Sequence, residues 1–321
     1  MDLVVLDEKQ TPYALRALRD VVASNGSITP AERRFIEVVA ELHGTNVDVA
    51  ALQSIAPEEV KQAIAQPHQR KRVVQLAAIA AMVEGEVTPR EAQAVNRLAA
   101  ALEVDEASVK VLQEIAAKHR LLTRFDVMRR IMGKVGTRAY SQEGFAGIRK
   151  MLAPFTGAED SEVAWKYKSL GLLPQGTLGR AFWEHSTGNR FGFPGEKGGI
   201  PERMVYHDFG HVLAGYDSTP EGEIQQGAFQ AGFTREDGFA FLMFAVIQFH
   251  LGVQMTPTAE AQTGLFDVAK VLRAARRGAA CKVDLSDRWD PFTVISLPLE
   301  QVRAEYGIPP LSYQASGETL R

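Results

Sequence analysis

The chain of 321 residues has little cysteine and no strong charge bias. Its single cysteine, Cys281, excludes an intramolecular disulfide and is typical of a reducing compartment. The formal net charge of −3 argues against attraction of the whole chain to nucleic acid. What remains is an ordinary globular composition, with 45% hydrophobic and 23% charged residues, that can bury a sizeable core.

Long apolar segments are also missing. The first twenty residues lack a basic stretch followed by an apolar one, so we predict no secretory signal. The longest apolar run, Phe239–Val253, has about 15 residues and contains Gln248 and His250, whereas a membrane-spanning helix needs roughly 20. We therefore expect a cytoplasmic protein whose membrane contact, if any, is peripheral and on the inner face.

Strand patterns and nucleotide motifs are scarce as well. Cys281–Asp287 is the one short candidate strand, and no sustained alternation of apolar and polar residues occurs elsewhere. The glycine-rich segment Gly192–Gly199 does not follow a recognisable strand, so it predicts a loop and no nicotinamide or flavin site. We expect an all-α fold, and the length predicts two domains.

Two stretches in the first third, Val21–Leu42 and Ala80–Ala101, match at a fixed offset. In each, a glycine precedes a Thr-Pro pair, and a glutamate lies three residues after the threonine. The glycine ends one helix, the threonine caps the next, and the glutamate completes a capping box. Each copy is predicted to be a helical hairpin. Further helices are expected at Pro57–Ala65 and Ala107–His119.

Residues 1–120 resemble the TerB-like helical domain of tellurite resistance, which carries two such hairpins with an acidic turn. The residue before the turn glycine is Asn25 in the first copy and Glu84 in the second, so the chain departs from that pattern. We interpret Glu84, Glu86 and Glu91 as carboxylates favoured by a helix N-terminus rather than as a metal cluster.

A basic connector is predicted at 121–157, with the linker itself near Gly133–Gly157. Between residues 118 and 150 there are nine Lys or Arg and two acids. Five apolar residues of this segment fall on one helical face: Leu121, Phe125, Met128, Met132 and Val135. A basic amphipathic helix can lie on an anionic membrane or dock on a partner. We favour a connecting helix that packs this face on one of the two domains.

The segment Tyr206–Glu223 carries a candidate metal site. His207 and His211 are one helical turn apart on the same face, and Asp208 is offset by about 100° from His207. We expect the helix to end at Gly215, and Ser218 or Thr219 to cap a new helix that brings back Glu223. Imidazoles with carboxylates are a good Zn²⁺ set and also suit Fe or Mn.

The pattern His-Asp-x-x-His, followed after eleven residues by Glu, is the signature of the Coq-four family of ubiquinone (coenzyme Q) biosynthesis. Residues 158–321 resemble this family. Leu170–His185 is similar to the family's upstream segment, and Phe239–Val253 to its apolar helix. The resemblance implies that His207, Asp208, His211 and Glu223 bind the metal, most often zinc.

The same resemblance implies an all-helical homodimer that associates peripherally with membranes and works beside quinone-biosynthesis enzymes. Family members bind a polyprenyl-type lipid and support modification of the quinone head group, including oxidative decarboxylation at ring carbon one. An apolar helix near the metal suits the hydrophobic polyprenyl chain of such a lipid. The residues we expect to contact the lipid are Phe239, Phe241, Leu242, Phe244 and Phe249, with Arg180 and Lys197 as anion contacts.

Two other functions stay open. In HExxH metallohydrolases the acid beside the first histidine is the general base, so a zinc hydrolase of a lipid-like substrate would use Asp208 as its catalytic residue. Asp is one methylene shorter than Glu, which favours a ligand role instead. The TerB-like half also allows a non-enzymatic membrane-stress module. Because zinc has no redox chemistry, an oxidative step needs dioxygen or another metal.

Overall fold

The structure, a computed structural model, describes residues 1–152, 159–256 and 259–311. In the first half the α-helices are α1 (Thr11–Val22), α2 (Pro30–Leu42), α3 (Pro57–Ala63), α4 (Pro67–Ala80), α5 (Pro89–Ala101), α6 (Ala107–Ala116) and α7 (Arg120–Leu152). In the second half they are α8 (Ser161–Lys168), α9 (Leu178–Gly188), α10 (Tyr206–Ala214), α11 (Pro220–Phe233), α12 (Phe239–Phe249), α13 (Val268–Ala280) and α14 (Leu299–Tyr306).

The all-α prediction is confirmed. The described ranges contain no β-strand, only two isolated bridges. The candidate strand at Cys281–Asp287 is wrong, since this segment forms turns after α13. No helix in the described ranges is both long and apolar enough to cross a membrane.

Both predicted hairpin signatures are present. The Thr29 side chain accepts from the Glu32 amide and that of Thr88 from the Glu91 amide, and both glutamates complete their capping boxes. The turn glycines Gly26 and Gly85 have φ of 123° and 83°, values that favour glycine. The expected helices at Pro57–Ala65 and Ala107–His119 are α3 and α6, which end at Ala63 and Ala116.

The connector follows expectation in part. The favoured connecting helix is present as α7 and extends as far as Leu152, with a break at Gly144, where φ is 60°. The rest of the expected linker, 153–157, lies outside the described residues. The predicted packing of the whole apolar face is wrong for the first turns, where Leu121 and Phe125 are exposed. There Val127 and Ile131, on another side of the helix, face the core.

One cluster of buried apolar residues includes both halves of the chain. The Arg130 guanidinium on α7 bridges the two, 3.3 Å from Glu106 and 2.6 Å from Asp237. The His250 ring after α12 lies 3.0 Å from the Met82 carbonyl beside the second hairpin turn. The halves therefore share a core, and the division at 120 and 157 stays a prediction.

Close helix packing fixes α11, which carries the predicted Glu223. A Cβ added at Gly278 on α13 would lie 2.0 Å from the Phe229 carbonyl oxygen, and one at Gly232 would lie 2.3 Å from that of Ala275. Only glycine allows the two backbones to approach this closely.

We expect Gly278→Ala to lower the free energy of unfolding by about 1–3 kcal/mol, because the methyl group forces α11 and α13 apart. Gly133→Ala is the matched control, since Gly133 is exposed on α7 and a Cβ there meets nothing within 4 Å. That change should instead add about 0.5–1 kcal/mol. Urea unfolding measures both, and equal effects would contradict the close-packing account.

Candidate metal centre

The segment between α10 and α11 folds as its sequence predicts. Gly215 ends α10 in the left-handed region at φ 78°. The Thr219 side chain then accepts from the Gly222 amide, and Pro220 begins α11. Glu223 therefore lies in the first turn of α11 and faces back toward α10.

Three predicted residues meet at one point: His207, His211 and Glu223. The two Nε2 atoms are 3.3 Å apart. One carboxylate oxygen of Glu223 is 3.3 Å from Nε2 of His207, and the other is 3.3 Å from Nε2 of His211. The His211 side chain is 2% exposed, against 30% for His207 and 22% for Glu223. Solvent therefore reaches the cluster from the side of His207 and Glu223.

The second nitrogen of each ring is committed to an acceptor. Nδ1 of His207 is 3.0 Å from Oε1 of Gln230, and Nδ1 of His211 is 3.2 Å from the Tyr216 carbonyl. Because these oxygens only accept, both Nδ1 atoms carry hydrogen. That arrangement presents each Nε2 lone pair to the cluster, as outer hydrogen bonds do for metal-binding histidines.

The spacing fits a tetrahedral ion. Zinc bonds of about 2.0–2.1 Å place neighbouring ligand atoms roughly 3.3–3.4 Å apart. The Nε2–Nε2 distance of 3.3 Å matches this value, each Nε2 lies 3.3 Å from a different oxygen of Glu223, and one donor atom from each residue lies within 4.8 Å of the other two. Two imidazoles and one carboxylate suit zinc and also non-haem iron. The residues therefore fit a metal ion with three protein ligands.

Asp208, the fourth ligand that the resemblance implies, is not in this cluster. Its side chain forms no hydrogen bond or ion pair with any described residue. Burial raises the pKa of its carboxyl, an effect that His207 and His211 partly offset. Its role as a metal ligand stays a prediction.

The charges of the cluster compensate one another. Burial lowers the pKa of His207, but the Glu223 carboxylate outweighs it and the pKa rises to about 9. Burial raises the pKa of Glu223, yet the two histidines hold it far below its usual range. Without a metal, the cluster therefore holds a proton between His207 and Glu223 near neutral pH.

Two arginines secure the C-terminal end of α10. Arg277, which is 3% exposed, donates to the Ala214 carbonyl and to the Tyr216 hydroxyl. Arg303 on α14 donates to the Leu213 and Val212 carbonyls. These bonds satisfy carbonyls that have no partner inside the helix, and they fix Tyr216 beside His211.

The sequence did not single out His185 or Gln230. The His185 ring on α9 stacks on that of His211 with centroids 5.4 Å apart, and its buried Nε2 has no partner among the described residues. Burial, with His211, lowers its pKa to about 4. Gln230 could have been found from its spacing, because a residue seven positions after Glu223 lies on the same side of the helix.

The predicted lipid-contact residues lie mainly in the core. Phe239, Leu242 and Phe249 are buried, and Phe241 and Phe244 are half-buried against the core. Arg180 pairs with Glu184 at 2.8 Å and its guanidinium lies over the Trp183 ring, while Lys197 is exposed. Their lipid and anion contacts stay predictions.

A cleft of about 250 Å³ opens beside Tyr206, the residue that precedes His207. Its walls include the Trp289 and Phe292 rings and the Arg138 and Lys166 side chains. The cleft therefore offers both aromatic and cationic surface at the start of α10.

No family model matches the chain, and no curated protein matches it. One solved structure that resembles it is a protein of Nostoc punctiforme that carries a provisional assignment to ubiquinone biosynthesis. The likeness covers 60% of this chain and 98% of that one, at 18% identity and a TM-score of 0.31. An identity and a TM-score this low do not assign the role of that protein to this chain.

We expect Gln230→Leu to weaken zinc binding by about 10–100-fold, because Nδ1 of His207 loses the acceptor that orients the ring. Gln225→Leu, on the same helix but outside the cluster, should leave the affinity unchanged. Competition with a chromophoric chelator gives both constants. Equal zinc affinity in the two variants would show that the Gln230 contact does not orient a ligand.

Zinc binding should also depend on pH. Since the pKa of His207 is about 9, the metal must displace one proton at neutral pH. The apparent affinity should therefore rise about tenfold per pH unit between pH 6 and 8 and flatten above pH 9. Titration calorimetry in buffers of different ionisation enthalpy counts the released proton. A count of zero would contradict the proton held by His207 and Glu223.

Proposed function

We propose that this chain is a metal-dependent protein of prenyl-quinone biosynthesis that binds a polyprenylated aromatic acid. The observation that carries the proposal is the convergence of His207, His211 and Glu223, whose donor atoms lie within 4.8 Å of one another. The His-Asp-x-x-His and Glu signature supports the link to quinone chemistry. Zinc is the metal that the ligand set favours, with iron and manganese as alternatives.

A bound zinc ion would supply Lewis acidity toward a carboxylate or phenol oxygen of the substrate. His207 and His211 hold their Nε2 atoms toward that position, and Glu223 neutralises part of the charge. Replacement of a ring carboxyl by a hydroxyl releases carbon dioxide and two electrons, so an electron acceptor such as dioxygen is required. The chain would perform this step itself or present the substrate to a partner enzyme.

The first experiment is metal analysis of freshly purified protein beside His207→Ala/His211→Ala. His68→Ala/His119→Ala is the matched control, because both histidines are exposed and distant in sequence. We expect about one equivalent of metal in the wild type and control and none in the first variant. Retention of metal in that variant, or a metal-free folded wild type, would remove the proposed site.

Substrate class is tested by equilibrium dialysis with a short-chain 3-prenyl-4-hydroxybenzoate and with the matching 2-prenylphenol, which lacks only the carboxyl group. Metal-loaded wild type should prefer the acid by more than about tenfold, because only the acid brings a carboxylate to the ion. Equal binding of the two compounds would contradict the assignment of an aromatic acid while leaving the metal site intact.

A zinc hydrolase is the second candidate, and the position of Asp208 favours it. In that class two histidines and a later glutamate bind the ion while the acid beside the first histidine stays free as the base. The cluster has the same composition, with Asp208 outside it. The variant Asp208→Asn distinguishes a catalytic base from a metal ligand. Retained metal with lost ester hydrolysis supports the hydrolase. Loss of the metal supports Asp208 as a ligand.

A further inference from the structure

Three large apolar side chains are exposed together at the start of α7. Leu121, Leu122 and Phe125 have 82%, 53% and 62% of their surface exposed. At 3.6 residues per turn the three side chains fall within an arc of about 100°, so they lie on one half of the helix surface in its first two turns. Single exposed apolar residues are common on protein surfaces, whereas a contiguous group marks an interaction site.

The same turns carry cations without matching anions. Lys118, Arg120 and Arg124 are exposed and form no ion pair with any residue in the described ranges. Asp126 is the only acid between residues 115 and 142, and it is buried against Lys110. The segment that carries the apolar group therefore presents three cations and no exposed acid.

We infer that Leu121, Leu122 and Phe125, with Lys118, Arg120 and Arg124, form a docking surface for an anionic lipid bilayer. The apolar side chains enter the boundary between head groups and acyl chains, and the cations bind the lipid phosphates. The inference does not rest on the metal centre, because all six residues lie between positions 118 and 125, before the second half of the chain.

The charge pattern argues against a second copy as the occupant. In a two-fold dimer the same patch faces itself, so the three cations would meet their own copies. Three apolar side chains are also too few for a stable dimer, which buries about 1,200–2,000 Å² in total. A bilayer has neither problem, since its surface is extended and negative.

The test is co-sedimentation of the full chain with quinone-free vesicles of phosphatidylcholine, with and without 30% phosphatidylglycerol. Metal-stripped protein is used, so the outcome is independent of the proposed function. Two variants remove the patch: Lys118→Gln/Arg120→Gln/Arg124→Gln and Leu121→Ser/Leu122→Ser/Phe125→Ser. The matched controls are Arg33→Gln/Arg90→Gln/Arg97→Gln, which changes three other exposed cations, and Trp165→Ser/Leu172→Ser, which changes two other exposed apolar residues.

We expect binding to the anionic vesicles alone, a loss of at least about tenfold in each patch variant, and wild-type binding in both controls. Circular dichroism should show all four variants folded, because every altered side chain is exposed. Equal binding to neutral vesicles, unchanged binding in either patch variant, or equal loss in the charge control would overturn the inference. So would self-association of the free chain that the patch variants abolish.

Discussion

The Glu223 carboxylate lies between two imidazole rings, and this contact exists only because α10 and α11 approach closely. A Cβ at Gly210 would lie 2.1 Å from Nε2 of the buried Gln226 side chain. One at Gly222 would lie 2.1 Å from an Asp217 carboxylate oxygen. Gln226 or Asp217 would have to move to make room for a larger residue at these positions. The two glycines are therefore part of the packing that places Glu223 beside the histidines.

Charge balance follows from that geometry. Two neutral imidazoles and one carboxylate leave a negative charge in a largely buried place, and an uncompensated buried charge is costly. A proton can neutralise it, which is why the pKa of His207 rises to about 9. A divalent cation can replace the proton and leave one net positive charge on the three-ligand centre. Because Gln230 and Tyr216 are neutral acceptors, they add no further negative charge, and the centre then attracts an anionic oxygen.

The local signals in the sequence were reliable because they act within a few residues. Capping by Thr29, Thr88 and Thr219 depends on bonds to the next turn, so spacing alone predicts it. The stack of His185 on His211 joins helices that are separated by a loop, and no local pattern encodes it. The exposure of Leu121 likewise depends on contacts between distant parts of the chain. Periodicity predicts that an apolar side of a helix exists, but the tertiary packing of α7 decides which side is buried.

Helix geometry also bears on the number of ligands. His207 and His211, four residues apart, point to the same side of α10, whereas Asp208 is rotated by about 100° from His207. Its carboxyl lies outside the cluster of His207, His211 and Glu223, and its part in metal binding stays a prediction. Gly215 and the carbonyl bonds from Arg277 and Arg303 hold the C-terminal end of α10, where His211 lies. With three protein ligands a bound zinc ion would keep a fourth position open, as catalytic sites do, whereas Asp208 as a fourth ligand would close the site, as in structural zinc sites.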